Sequence, residues 1–185
     1  MKNISVLFVR KNSIYKSIPN CDCYDIDRDA LTCINNYPVI AHPPCAPWGR
    51  LRKQAIINTD IKNYAIFSIN MVRKYGGIVE HPSSSTLWQH MNLPTGKHID
   101  EYGGWTLSIN QSWFGHLAEK KTWLYIVGCS PSDIPQYPIL LNAITHVISS
   151  SKKHTGKKEC SKKMREETPI LLAKYLVDLA MQLKK

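Results

Sequence analysis

The sequence predicts an α/β fold: one domain, with a mostly parallel sheet flanked by helices. Three observations carry this. Short apolar runs of strand length recur along the first half of the chain. A long helical pattern separates two of them with almost no linker. A second amphipathic pattern closes the sequence, and no internal repeat or composition break divides the 185 residues.

The first run, "ISVLFV" (4–9), suits a buried strand. "CDCYDID" (21–27) is a second strand ending in acids, and "YPVIAH" (37–42) a third. "NTDIKNYAIFSINMVRKYGG" reads as a helix, capped by Thr59 or Asp60 and stopped by Gly76-Gly77. Ile61, Tyr64, Ala65, Phe67, Ile69, Met71 and Val72 supply its apolar surface. "GIVEH" (77–81) follows at once as a fourth strand, which makes a βαβ unit and so a parallel pair. "TWLYIVG" (122–128) is a further buried strand. The terminal "ETPILLAKYLVDLAMQLKK" predicts a helix over about 168–183, with Thr168 as cap, Pro169 in the first turn, and Leu172, Tyr175, Leu176 and Leu179 on one face. Trp48, Trp88, Trp105 and Trp113 fall in segments read as loops, as core packing or, if exposed, as a surface on which a base stacks.

Hydrophobic residues make up 43% of the chain, which excludes general disorder. No apolar run approaches the roughly 20 residues of a membrane span, and the start lacks a signal-peptide pattern, so a cytoplasmic protein with reduced thiols is expected. The six cysteines are scattered, and Cys21 and Cys23 have no second pair at zinc spacing. No metal is expected. The formal charge is +10, from 24 Lys and Arg against 14 Asp and Glu. Much of that excess sits in a basic loop at about 148–165, either a solvated surface or a phosphate contact.

Ligands of open parallel sheets bind beyond the carboxyl ends of the strands. Two such ends carry chemistry. "PVIAHPPCAPWGRLR" (38–52) ends a strand at a Pro-Pro corner and sets Cys45 just past it. Cys45 is either a small buried hydrophobe or a nucleophile on a stiff loop, its pKa lowered by Arg50 and Arg52. Glu80 ends the apolar strand "GIVEH" and suits ligand binding or acid-base work, since a buried carboxylate without a partner is costly. His42 and His81 occupy what read as matching places at the two strand ends. Neither a Walker loop nor a G-x-G-x-x-G occurs.

Taken in order, these segments resemble the cytosine-5 DNA methyltransferase family, which implies a Rossmann-like arrangement of the sheet. "PVIAHPPCAPWGRLR" is similar to the family's "GGPPCQ.FS", whose cysteine attacks C6 of a flipped cytosine; Cys45 matches it, with Pro43 and Pro44 preceding. "GGIVEHP" resembles the strand ending in "ENV", whose glutamate binds the N3 edge of the base; Glu80 matches, and His81-Pro82 replace Asn-Val. "WFGHLAEKKTWLYIVG" is similar to "YGVPQSRERVFIVG", with Ala118 for the glutamine and Lys120 and Thr122 for the two arginines. "CYDIDRDAL" resembles the segment whose acid holds the ribose of S-adenosylmethionine, which makes Asp25 the counterpart. The resemblance thus implies Cys45 as nucleophile and Glu80 as the base-orienting group. Around them it sets His42, Pro44, Trp48, Arg50, Arg52, His81 and Lys120 as substrate contacts.

The chain departs from the family in two respects. No glycine occurs before Gly49, whereas the family's first strand runs into a glycine-rich turn. Too few residues separate Gly128 from the last helix for the family's target-recognition domain, a brevity reminiscent of bacteriophage proteins. The donor is therefore S-adenosylmethionine in an altered site or a different group, and the substrate a single strand, a modified base or a free nucleotide. The competing class is a binding protein on the same scaffold that holds nucleic acid or a nucleotide without turnover. A third is a phosphate-binding accessory protein using residues 151–165. The enzyme reading requires Cys45 and Glu80 to share one pocket.

Overall fold

The computed structural model describes residues 3–34, 36–49, 52, 59–148 and 156–184. A six-stranded mixed sheet forms the centre, with strand order β2-β1-β3-β4-β6-β5. Its strands are β1 (Ile4–Leu7), β2 (Cys21–Tyr24), β3 (Val39–Ala41), β4 (Gly77–Pro82), β5 (Trp105–Asn110) and β6 (Lys121–Val127). The first four run parallel. β6 is antiparallel to both of its neighbours, β4 and β5.

Four helices are described: α1 (Thr59–Tyr75), the single turn α2 (Leu87–His90), α3 (Lys162–Glu166) and α4 (Ile170–Gln182). A small parallel pair, β7 (His146–Val147) and β8 (Lys158–Glu159), lies apart from the main sheet. No helix among the described residues is long and apolar enough to cross a membrane.

Alternation along each strand sorts the core into two layers. Ile4, Val6, Ile40, Ile78, Leu124 and Ile126 share one layer with Leu172, Tyr175, Leu176 and Leu179 of α4. Leu7, Val39, Ala41, Val79, Tyr125 and Val127 share the other with Ile69, Met71 and Val72 of α1. Each large aliphatic chain buried this way contributes about 1.5–3 kcal/mol against exposure. The expected apolar faces of both long helices therefore do the packing.

Several local expectations need correction. Trp105 lies in β5, not in a loop, and its indole N–H donates to the Cys129 carbonyl at 2.8 Å. Thr168 does not cap α4; Pro169 takes the cap position, and its carbonyl accepts from Ala173 N–H at 2.9 Å. The side chains of Thr59 and Asp60 lie outside the described residues, as do residues 149–155 of the basic loop. α1 stops at Gly76 and Gly77, with φ of 75° and 141°. A Cβ at Gly77 would fall 2.1 Å from the Val39 carbonyl oxygen, so only glycine lets β4 start this close to β3.

β1 leads to β2 on one side, and the chain then returns to place β3 on the other side of β1. That reversal is a topological switch point, where the loops leaving two adjacent parallel strands diverge and open a crevice at their carboxyl ends.

Candidate functional site

A cavity of about 690 Å³ occupies this crevice. Residues 8–10 and 12–15 leaving β1, 42–46 leaving β3, and Glu80 and Pro82 of β4 wall one side. Gly115–Leu117, Lys120 and residues 164–170 close the other.

Strand periodicity fixes what faces inward. The β3–β4 register pairs Ile40 with Ile78 and Ala41 with Val79, so His42 and Glu80 come next in phase. Both continue the α4-facing rows that Ile40 and Ile78 begin. On β6, antiparallel to β4, Glu80 pairs with Leu124 and Thr122 lies on the same row. At the carboxyl edge the apolar layer thus gives way to a polar cluster of His42, Glu80 and Thr122.

His42 Nδ1 lies 3.2 Å from Glu80 Oε2, and its Nε2 lies 3.0 Å from the hydroxyl of fully buried Tyr15. Gln111 Nε2 donates to Glu80 Oε1 at 2.8 Å and to Thr122 Oγ1 at 3.1 Å. Burial alone would raise the Glu80 carboxyl, but the His42 hydrogen bond and the Lys120 charge outweigh it and bring the pKa down to about 2. At neutral pH the floor of the cavity is an ionised carboxylate. Gln111 belongs to this cluster, although no sequence motif marks it.

The Pro-Pro corner shapes the wall. His42 N–H still donates to the Leu7 carbonyl at 3.1 Å, but Pro43 and Pro44 have no N–H and the ladder ends there. Cys45 then opens a tight helical turn over Ala46–Trp48, its carbonyl accepting from Trp48 N–H at 3.0 Å. Cys45 is exposed and lines the cavity together with Glu80. Its thiol is not activated as expected. Desolvation by the surrounding cavity atoms and the Glu80 charge raise its pKa, with Lys120 acting against them. Arg52 is exposed, donates to the Gly49 carbonyl at 3.4 Å and does not line the cavity, while Arg50 lies outside the described residues.

Pro44 and Lys120 line the cavity beside Cys45. His81, Trp48 and Asp25 do not. His81 and His42 are not in matching places: His81 is one residue out of phase with Glu80 and turns to the α1 side. There it is fully buried, edge-on to Trp88, with neither ring nitrogen hydrogen-bonded. Burial lowers its pKa to about 4 against the pull of Glu80. Trp48 is buried beneath its turn, near the His90 ring and the Lys62 ammonium.

Both carboxylate oxygens of Asp25 are engaged within the chain. Lys16 holds one carboxylate oxygen, and the backbone N–H groups of Asp27 and Arg28 hold the other at 2.9 and 3.2 Å. These partners keep its pKa below the ordinary value, the Lys16 hydrogen bond foremost. At the end of β1, where a nucleotide cofactor needs bare backbone, stand Phe8 and Tyr15. Phe8 has φ 59°, a left-handed conformation rare for a bulky residue, and its ring stacks on Tyr64 at 5.2 Å. This donor set and this crowding do not fit an adenosyl ribose held by Asp25.

Among the described residues, no group of three or more His, Cys, Asp or Glu side chains could hold a metal ion. No family model matches the chain, and no curated protein matches it.

Proposed function

We propose that this protein is a pyrimidine-modifying enzyme of Rossmann-like, single-domain architecture, acting on a nucleotide or a nucleic acid. The observation that carries the reading is the meeting of Cys45 and Glu80 in one cavity at the switch point of the sheet. Their partners have separate roles. His42 and Gln111 hold the Glu80 carboxylate in one orientation by a hydrogen bond to each oxygen. Lys120 supplies positive charge to the same space.

The chemistry is conjugate addition. The exposed Cys45 thiol gives its proton to solvent, and the sulfur forms a bond to C6 of the ring. The C5–C6 π pair moves towards C5 and the ring carbonyl, so C5 becomes nucleophilic. The Lys120 charge stabilises the electron density that builds up on the ring. Reversal re-forms the C5–C6 double bond and expels the thiolate. This addition needs no methyl donor, and the residues around Asp25 do not fit one.

The test needs no cofactor. While sulfur is bound to C6, C5 takes a deuteron from D2O, and on reversal it releases its original proton. Incubating the protein with pyrimidine nucleotides and pyrimidine-containing oligonucleotides should therefore exchange the C5 hydrogen, measured by proton NMR. The exchange should vanish in Cys45→Ser and quicken as pH rises, since the resting thiol is protonated.

A second reading is a binding protein that holds a nucleotide in this cavity without turnover. It is favoured by the raised pKa of Cys45, which leaves little thiolate at neutral pH. Calorimetric binding with no C5 exchange would select it.

A further inference from the structure

The cluster around Glu80 is unbalanced in its hydrogen bonding. Glu80 accepts from Gln111 at one oxygen and faces His42 Nδ1 at the other. The second N–H of Gln111 goes to Thr122 Oγ1, and the Thr122 hydroxyl donates to the Lys120 carbonyl at 3.2 Å. With the Nδ1 proton of His42 pointing at Glu80, its Nε2 accepts from the Tyr15 hydroxyl. Every donor that the cluster itself supplies is thereby used.

The acceptors are not. A carboxylate has about four lone-pair sites, and Glu80 fills two of them from within the chain. Gln111 Oε1 is also without a donor, but it is buried behind the carboxylate in a residue that does not line the cavity, so the spare capacity open to a ligand is that of Glu80. Flipping the Gln111 amide would turn its oxygen onto the carboxylate, so the charge on Glu80 fixes the orientation. Glu80, which lines the cavity, thus has acceptor capacity to spare, and a donor on the ligand can fill it.

Resting on the enzymatic reading above, we propose that the ring this cavity takes is of the uracil class, which offers an N3–H donor to Glu80, rather than cytosine, whose N3 is an acceptor. A uracil N3–H points its hydrogen at the carboxylate and makes a charge-assisted bond. A neutral cytosine brings one donor, its N4 amino group, but sets the N3 lone pair alongside the carboxylate. Its N3 would first have to be protonated. The low pKa of Glu80 agrees with this, since a carboxyl held at about 2 has no proton to lend.

Addition of Cys45 completes the selection. In a uracil the electron pair displaced from C5–C6 is taken up by the C4 carbonyl oxygen, and no proton on N3 is needed. In a cytosine the same pair builds up on N3 beside the Glu80 charge. The carboxylate thus favours one ring both in binding and in the addition step.

The experiment compares matched ligands by calorimetry at neutral pH. They are 2′-deoxyuridine and 2′-deoxycytidine 5′-monophosphates, and oligo(dA) strands carrying a single deoxyuridine or deoxycytidine. The uracil ligand should bind at least about tenfold more tightly in whichever format binds, the scale of a hydrogen bond to a charged group. Glu80→Gln, whose amide offers both a donor and an acceptor, should shrink that preference to about threefold or less. Equal affinity, a cytosine preference, or no binding of any of the four overturns the inference, as does a uracil preference that persists in Glu80→Gln. C5 exchange separates the two claims. Cys45-dependent exchange with a cytosine preference sinks the uracil assignment alone, whereas a uracil preference without exchange sinks the enzymatic reading and leaves the base selectivity standing.

Discussion

A carboxylate and a histidine adjacent in sequence, Glu80 and His81, face opposite sides of one strand and titrate in ways that reinforce each other. Glu80 is 12% exposed and ionised, its pKa held down at about 2 from an ordinary 4.5. His81 is fully buried and neutral, its pKa lowered to about 4 from 6.5. As pH falls from 6.5 towards 4, an unfolded chain protonates this histidine while the folded chain does not, so stability is lost. From 4.5 towards 2 the unfolded chain protonates Glu80 before the folded chain does, and more is lost. Each step is on the order of 3 kcal/mol when complete. The urea midpoint should therefore drop between neutral pH and about pH 5, before most carboxylates titrate. His81→Leu, which suits the apolar contact with Trp88, should flatten that first drop and leave the later one. A drop of unchanged size in the variant would show that His81 is not the group responsible.

At the scale of elements, the site is made by the close approach of β3 and β4, which depends on Gly77. Gly77→Ala drives a Cβ against the Val39 carbonyl at φ 141° and should cost at least about 3 kcal/mol, or prevent folding. Gly103→Ala is the control: its φ of 72° is also positive, but nothing lies within 4 Å, so the penalty should stay near 1 kcal/mol by thermal unfolding. Similar losses in the two would mean that backbone conformation, not proximity, decides at position 77. This pair of strands was also where the sequence was most legible. Val39–Ala41 and Gly77–Val79 are short apolar runs joined through one helix, and that pattern alone sets them side by side. The same alternation puts His42 in phase with Glu80 and His81 out of phase, a distinction that a comparison of strand ends by position overlooks. β5 carried a signal as well, since Trp105, Leu107 and Ile109 alternate with Thr106, Ser108 and Asn110; reading its tryptophan as a loop residue hid it. Gln111 carried none. It follows β5 in a short helical turn, and only the antiparallel pairing of β5, β6 and β4 brings its amide to Glu80. The expected activation of Cys45 by Arg52 fails for a related reason, because closeness in sequence across a tight turn does not put Arg52 in the cavity.

For the molecule as a whole, the open matter is how a net charge of +10 relates to one cavity. Much of the described charge near its mouth is matched locally. Lys162 and Lys163 pair with Glu166 and Glu167 at 3.9 and 3.6 Å, Arg165 with Glu159 at 3.4 Å, and Arg10 with Glu166 at 3.7 Å. Lys120 differs: its ammonium makes no ion pair with a carboxylate within 4 Å among the described residues, and it acts on Cys45 and Glu80. Exposed pairs such as those of α3 are weak and exchange readily with phosphate, so the basic segment can add affinity for a strand without reading its bases. Attraction and selection should then separate experimentally. For the deoxyuridine-bearing oligonucleotide, log affinity should fall linearly with log salt, by about 0.7 for each phosphate contact. Replacing Lys157, Lys158, Lys162 and Lys163 together by glutamine should make that slope shallower and weaken uracil and cytosine strands alike, leaving their ratio unchanged. Lys120→Gln should leave most of the slope and weaken the mononucleotide and the strand by similar factors, because the cavity accommodates one nucleotide in either case. A uracil preference that disappeared with the four surface lysines, while Lys120→Gln had no effect, would put base selection outside the cavity.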